Sequence, residues 1–264
     1  NKHNIYESEN AAVADNDYVS YPETVAELKE HGFGAYRMSI SWPRVMTYTT
    51  PAAGSGSRPV ATVNQAGVDH YRKQLSALNA AGIDVALTMW HWDTPQALEN
   101  YAYENLDCRA AGSKSAKGSF WLCPDTDEFF APYAELLVKE FAQLARYWIT
   151  LNEPLTIIQN AYSAGSPHAP GRCSDKAACW DGDDAVEPFV AAHGLLKAHA
   201  AAFGAWKRAS DAGKMLPGSV CGATLNGDFA LPVDASSDAD KAAAERSMQY
   251  VVSSLLSFCF LVCF

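Results

Sequence analysis

Strand-like and helix-like patterns alternate along this chain, and no two strand patterns lie close enough to pair as a hairpin. Tyr21 to Gly32 reads as a helix, with Pro22 near its start, Val25 and Leu28 on one face and Gly32 as its stop. Tyr36 to Trp42 reads as a strand, because Tyr36, Met38, Ile40 and Trp42 alternate with Arg37, Ser39 and Ser41. Further helices are expected at 65–81, 128–145, 186–207 and 239–252, and further strands at 83–91, 147–152 and 220–226. Residues 49–60 and 165–184 read as loops, and 101–123 as irregular chain with a surface insertion at 110–118. Strands separated by helices require right-handed crossovers, and so a parallel sheet. That leaves an open doubly wound sheet or a (β/α)8 barrel. Neither a GxGxxG nor a GxxxxGK[ST] turn occurs. Polar groups gather just after strands instead, at Trp42-Pro43-Arg44, His91-Trp92-Asp93 and Asn152-Glu153-Pro154. A barrel places its site there. The expected fold is therefore α/β, a TIM barrel of which four of the eight strands are legible.

Composition narrows the function. The chain has 264 residues, 48% of them hydrophobic and 19% charged, enough for one large domain with a core. Twenty basic side chains stand against 30 acidic ones, a net charge of −10, so neither nucleic acid nor an anionic membrane surface is an expected partner. The most apolar stretch, Leu255 to Phe264, is too short to span a bilayer. Asn1 to Asp17 is polar and acidic, unlike a signal peptide, but the sequence opens without Met, so its start says little about compartment. Seven Trp and twelve Tyr supply flat amphipathic surfaces of the kind carbohydrate sites use, although most aromatic side chains in any domain are core. Metal-ligand spacing is absent, and no cofactor is implied.

Three constellations carry chemistry. Trp148-Ile-Thr-Leu-Asn-Glu-Pro154 places a carboxylic acid where a buried strand ends. Partial desolvation there favours the protonated form, which suits a group that protonates a leaving glycosidic oxygen. Asn152 beside it can donate to a sugar hydroxyl. The competing reading is a plain strand-to-helix turn in which Pro154 opens the next helix. In His91-Trp92-Asp93 a neutral imidazole and an indole face suit a sugar ring; equally, a core His and Trp followed by a capping Asp93 give the same text. Arg37 shares a strand face with Ser39 and Ser41, so inside a barrel it is buried and needs an anionic partner. A structural ion pair elsewhere satisfies the same need.

These motifs, together with Tyr36-Arg-Met-Ser-Ile-Ser-Trp-Pro-Arg44, Gly67-Val-Asp-His-Tyr71, His91-Trp-Asp-Thr-Pro-Gln-Ala-Leu98, Ala169-Pro-Gly-Arg-Cys173, Glu187-Pro-Phe-Val-Ala-Ala-His193, Gly222-Ala-Thr-Leu-Asn226 and Ala243-Ala-Glu-Arg-Ser-Met248, resemble glycoside hydrolase family 1, in family order. The resemblance implies a (β/α)8 barrel of retaining β-glycosidases, mostly β-glucosidases, with a small β-glycoside as substrate and strands two to five covered. It implies Glu153 as acid/base, Asn152 as binder of the 2-hydroxyl, His91 as a glycone ligand and Arg37 as neighbour of the nucleophile. Trp92 matches a wall residue, and Asn226 a family Asn after the next strand. Cys173 and Cys179 match a family disulfide, and Cys108 with Cys123 are a candidate second pair; such pairs point to a secretory or vacuolar origin only if they form.

The departures set further expectations. The family's first strand with its glycone-binding Gln, the Glu-Asn-Gly of the nucleophile and the late Trp-rich segment are not found in these 264 residues. Residues 251–264 read as a divergent tail, and 1–264 as a single incomplete barrel domain, expected to be inactive alone. Two rivals remain at this point: another Asn-Glu-Pro barrel glycosidase such as a cellulase, and a non-catalytic half-barrel that binds sugar or protein. Glycone, aglycone and oligomeric state are not legible.

Overall fold

The computed structural model describes residues 16–52, 57–163, 168–227 and 229–248. The expected tail at 251–264 lies outside them. The described residues include, in order, α1 (Asp17–Glu30), β1 (Ala35–Ser39), α2 (Trp42–Val45), β2 (Met46–Tyr48), β3 (Ala61–Val63), α3 (Gln65–Ala80), β4 (Asp84–Trp90), α4 (Gln96–Glu104), α5 (Thr126–Phe141), β5 (Tyr147–Asn152), α6 (Pro154–Tyr162), α7 (Glu187–Asp211) and β6 (Val220–Thr224). Residues 238–248 are helical as well.

β1, β4, β5 and β6 form one parallel sheet in that order. Arg37 pairs in register with Ala86, Thr88 with Ile149, and Trp148 with Cys221. Helices α3, α5 and α7 close one face, where Val85, Leu87, Met89 and Trp148 are buried. Trp42 anchors this core: it stacks on Tyr133 at 4.9 Å between ring centroids and meets Phe130 and Phe120 edge-on at 5.2 and 5.9 Å. The Tyr133 hydroxyl reaches the carbonyls of Ile40, 3.0 Å away, and Met89, 2.5 Å away. A single buried phenol thereby ties α5 to the ends of two strands, the level at which the polar motifs emerge.

Several expectations are corrected here. The first strand stops at Ser39, and Trp42 lies in a short helix opened by Ser41 and Pro43, so its burial owes nothing to strand alternation. α1 begins at Asp17, leaving Pro22 inside it. The stretch 101–123 contains the end of α4, and its supposed surface insertion is partly packed inside: Ala110 and Ser115 are buried. A Cβ on Gly118 would lie 2.2 Å from the Ala102 carbonyl oxygen, so only glycine lets the two segments touch. The stripe on α7 is also rotated. Phe189 is exposed, while Ala191, Gly194, Leu195, Ala198, His199 and Ala202 face inward. Apolar residues occur on both faces of this helix, so periodicity could not choose between them; small side chains win because α7 lies tight against its neighbours. A two-stranded antiparallel sheet, β2 with β3, brackets the loop expected at 49–60, a short hairpin that the sequence pattern did not show.

Candidate active site

The carboxyl ends of β4, β5 and β6 bring most of the sequence-identified residues together. Beyond Trp90 the chain turns sharply, and Trp92 adopts φ 72°. Beyond Asn152 it turns again, with Glu153 at φ 43°. These are left-handed conformations that an L side chain adopts only at a cost of about 1–2 kcal/mol, and here they swing both side chains out of the strand direction.

Hydrogen bonds then lock the group. Trp92 Nε1 donates to the Asn152 carbonyl oxygen at 2.8 Å. Arg37 Nη2 donates to Asn152 Oδ1 at 2.5 Å, and its Nε to Thr88 Oγ1 at 3.1 Å. The Glu153 N–H donates to the Thr224 carbonyl at 2.9 Å, which fixes the turn to β6 across a register shift between Ile149 and Asn152. Glu153 Oε2 accepts from Thr156 Oγ1 at 3.0 Å, and Thr156 Oγ1 in turn accepts from Asn226 Nδ2 at 2.7 Å. His91 stands edge-on to Trp92 at 5.6 Å, and His168 meets the same indole at 5.3 Å.

The electrostatics follow from this crowding. Partial burial, and next the positive charge of Arg37, hold the His91 imidazole below its ordinary value, against the opposing pull of Asp93 and Glu153. His91 is thus neutral at neutral pH, with one ring nitrogen to donate and one to accept. Burial raises the Asp93 carboxyl. Its Oδ2 accepts from the Trp42 N–H at 2.9 Å, so Asp93 reaches back to α2 instead of capping the turn after it.

Arg37 departs from its expected setting. It is exposed, not buried, and it donates hydrogen bonds to the neutral Asn152 and Thr88. The reason is geometric: the face of the sheet it occupies is open among the described residues.

A loop beside the site is pinned from three directions. Cys173 is disulfide-bonded to Cys179, and Cys108 to Cys123. Arg172 donates to both carboxylate oxygens of the fully buried Glu187, at 2.8 and 2.7 Å. Its own N–H donates to the Ala161 carbonyl at the end of α6, 2.7 Å away. Sequence reasoning assigned no role to Arg172, Glu187 or Thr156. Thr156 was findable, since a residue three positions into a helix faces its N-cap.

The chain matches known proteins along nearly its whole length. The model of glycosyl hydrolase family 1 matches residues 1–261. The chain belongs to that family. It is 35% identical to beta-glucosidase 13 of Arabidopsis thaliana over 251 residues, 93% of this chain and 43% of the relative. It is likewise 35% identical to a cyanogenic beta-glucosidase of Trifolium repens over 250 residues, 94% of this chain and 52% of the relative. The rice Os3BGlu6 beta-glucosidase superposes with a TM-score of 0.78 at 34% identity, covering 96% of this chain and 47% of that one. The parallel sheet is therefore part of a (β/α)8 barrel, and the chain spans about half the length of the relatives it matches.

Proposed function

We propose that these residues form the acid/base and glycone-binding side of a retaining β-glucosidase site. The observation that carries this reading is the meeting of Arg37, Trp92 and Asn152, from three adjacent parallel strands, next to Glu153. Arg37 occupies the Asn152 side-chain oxygen, which turns the amide nitrogen of Asn152 toward a ligand hydroxyl. His91, held neutral, recognises a second hydroxyl, and Trp92 offers an apolar face to the sugar ring. Glu153 protonates the departing glycosidic oxygen and later removes a proton from the attacking water. Asn226 bounds the site on the β6 side.

Double displacement also needs a carboxylate nucleophile about 5–5.5 Å from the acid, and the family's Glu-Asn-Gly is not among these 264 residues. A 2-deoxy-2-fluoro aryl β-glucoside, which traps such a nucleophile, is therefore expected to give no adduct by intact mass. Methyl β-glucoside is expected to bind weakly, with saturation-transfer NMR signals lost in Asn152→Ala. A stoichiometric adduct on any carboxylate here, or binding indifferent to Asn152, overturns the assignment.

A further inference from the structure

Glu153 has two carboxyl oxygens, and the structure treats them differently. Oε2 accepts from the hydroxyl of Thr156, one turn into α6. That hydroxyl has one hydrogen to give and two lone pairs to accept with. Asn226 Nδ2, arriving from beyond β6, donates into one of the lone pairs at 2.7 Å. With the oxygen engaged as an acceptor, the single hydrogen of Thr156 is left for Glu153. Three side chains from two elements thus form a directed relay, Asn226 to Thr156 to Glu153.

We infer that Thr156 and Asn226 are positioning residues that commit Oε2 of Glu153 to accepting a hydrogen bond, so that Oε1 is the oxygen that carries and transfers the proton. This rests on the reading of Glu153 as the acid/base, and adds the side chains that decide which oxygen acts. A carboxyl proton on Oε2 would require the Thr156 hydrogen to turn away and give up the bond it makes to Glu153. A proton on Oε1 meets no such conflict. The relay also opposes free rotation of the carboxyl on the half-buried Glu153. His91, after β4, feels the charge of Glu153, and Arg37 on β1 gives its hydrogen bonds to Asn152 and Thr88, away from Thr156 and Asn226.

The test is carbon-13 NMR titration of the Glu153 side-chain carboxyl in the intact chain. A hydrogen bond to the ionised form favours that form, so Thr156→Val, which keeps the shape and removes the hydroxyl, is expected to raise the titration midpoint by about half a pH unit or more. Thr156→Ser restores the hydroxyl and is expected to return the midpoint to that of the unaltered chain. Asn226→Ala is expected to raise it less than Thr156→Val, and to add nothing in the Thr156→Val background. Circular dichroism confirms that each variant is folded. An unmoved midpoint in Thr156→Val, or an equal rise in Thr156→Ser, overturns the relay. So does an Asn226 effect that persists without the Thr156 hydroxyl. The titration reads the relay whether or not the chain binds a glucoside, so its failure is separable from failure of the acid/base reading.

Discussion

At the residue scale, the site is marked by backbone cost as much as by chemistry. Glu153 sits at φ 43° and ψ 62°, where a Cβ is penalised and glycine is not. Glu153→Gly and Glu153→Ala both delete the carboxylate, yet only Ala keeps the strained Cβ. Glycine is expected to be the more stable of the two by about 1 kcal/mol, the reverse of the usual order, in urea unfolding. Equal stabilities would show that the turn relaxes. A second residue makes the fold itself sensitive to pH. His199 is buried between α7 and the sheet, with Nδ1 2.6 Å from Thr150 Oγ1, and burial lowers its imidazole below the ordinary value. The unfolded chain takes up a proton there below about pH 6.5 that the folded chain resists. Stability from this group is thus complete above that pH and is lost on acidification. The melting temperature of His199→Gln is expected to fall less between pH 7.5 and 5.5 than that of the unaltered chain; parallel falls would remove His199 as the cause.

At the scale of elements, close approach decides what periodicity cannot. A Cβ on Gly194 would lie 2.4 Å from the carbonyl oxygen of Trp121, a backbone atom that cannot rotate aside. Gly194→Ala is expected to cost about 1–3 kcal/mol by overpacking, although alanine favours a helix; an unchanged denaturant midpoint would mean that α7 shifts freely. This also explains what the sequence disclosed. β4 and β5 were legible almost to the residue, because both are buried runs bounded by clear turns. Asn152, Glu153, His91 and Trp92 were legible because a sheet that is parallel must deliver its polar groups at strand ends. The inward face of α7 was not, since Ala and Gly carry almost no hydropathy signal. Nor was the exposure of Arg37, which depends on what else faces the sheet. Arg172 and Glu187 are 15 positions apart, and nothing local shows that two charges will be buried together.

At the scale of the whole molecule, geometry and charge oppose each other. The outer edges of β1 and β6 have no strand partner among the described residues, and apolar side chains flank the strand starts: Phe33 before β1, Tyr147 opening β5 and Val220 opening β6 are all exposed. Unpaired parallel edges with apolar flanks invite pairing with another chain. Against this stands a net charge of −10, which adds a long-range repulsion between copies. The two effects respond differently to salt. Repulsion between surface charges reaches about 30 Å at 0.01 M ionic strength and about 8 Å at 0.15 M, whereas edge pairing and apolar contact act at touching distance. The chain is therefore expected to sediment as a monomer at low salt and to associate as salt is raised. Bringing the pH toward the isoelectric point near 5.1 should act in the same sense. Val220→Lys places a charge on the exposed start of β6 and should suppress association at 0.15 M salt while leaving the melting temperature unchanged. Sedimentation velocity across a concentration series provides the measurement. Association that weakens with salt would assign the contact to charge pairing, and association untouched by Val220→Lys would remove the β6 edge from it.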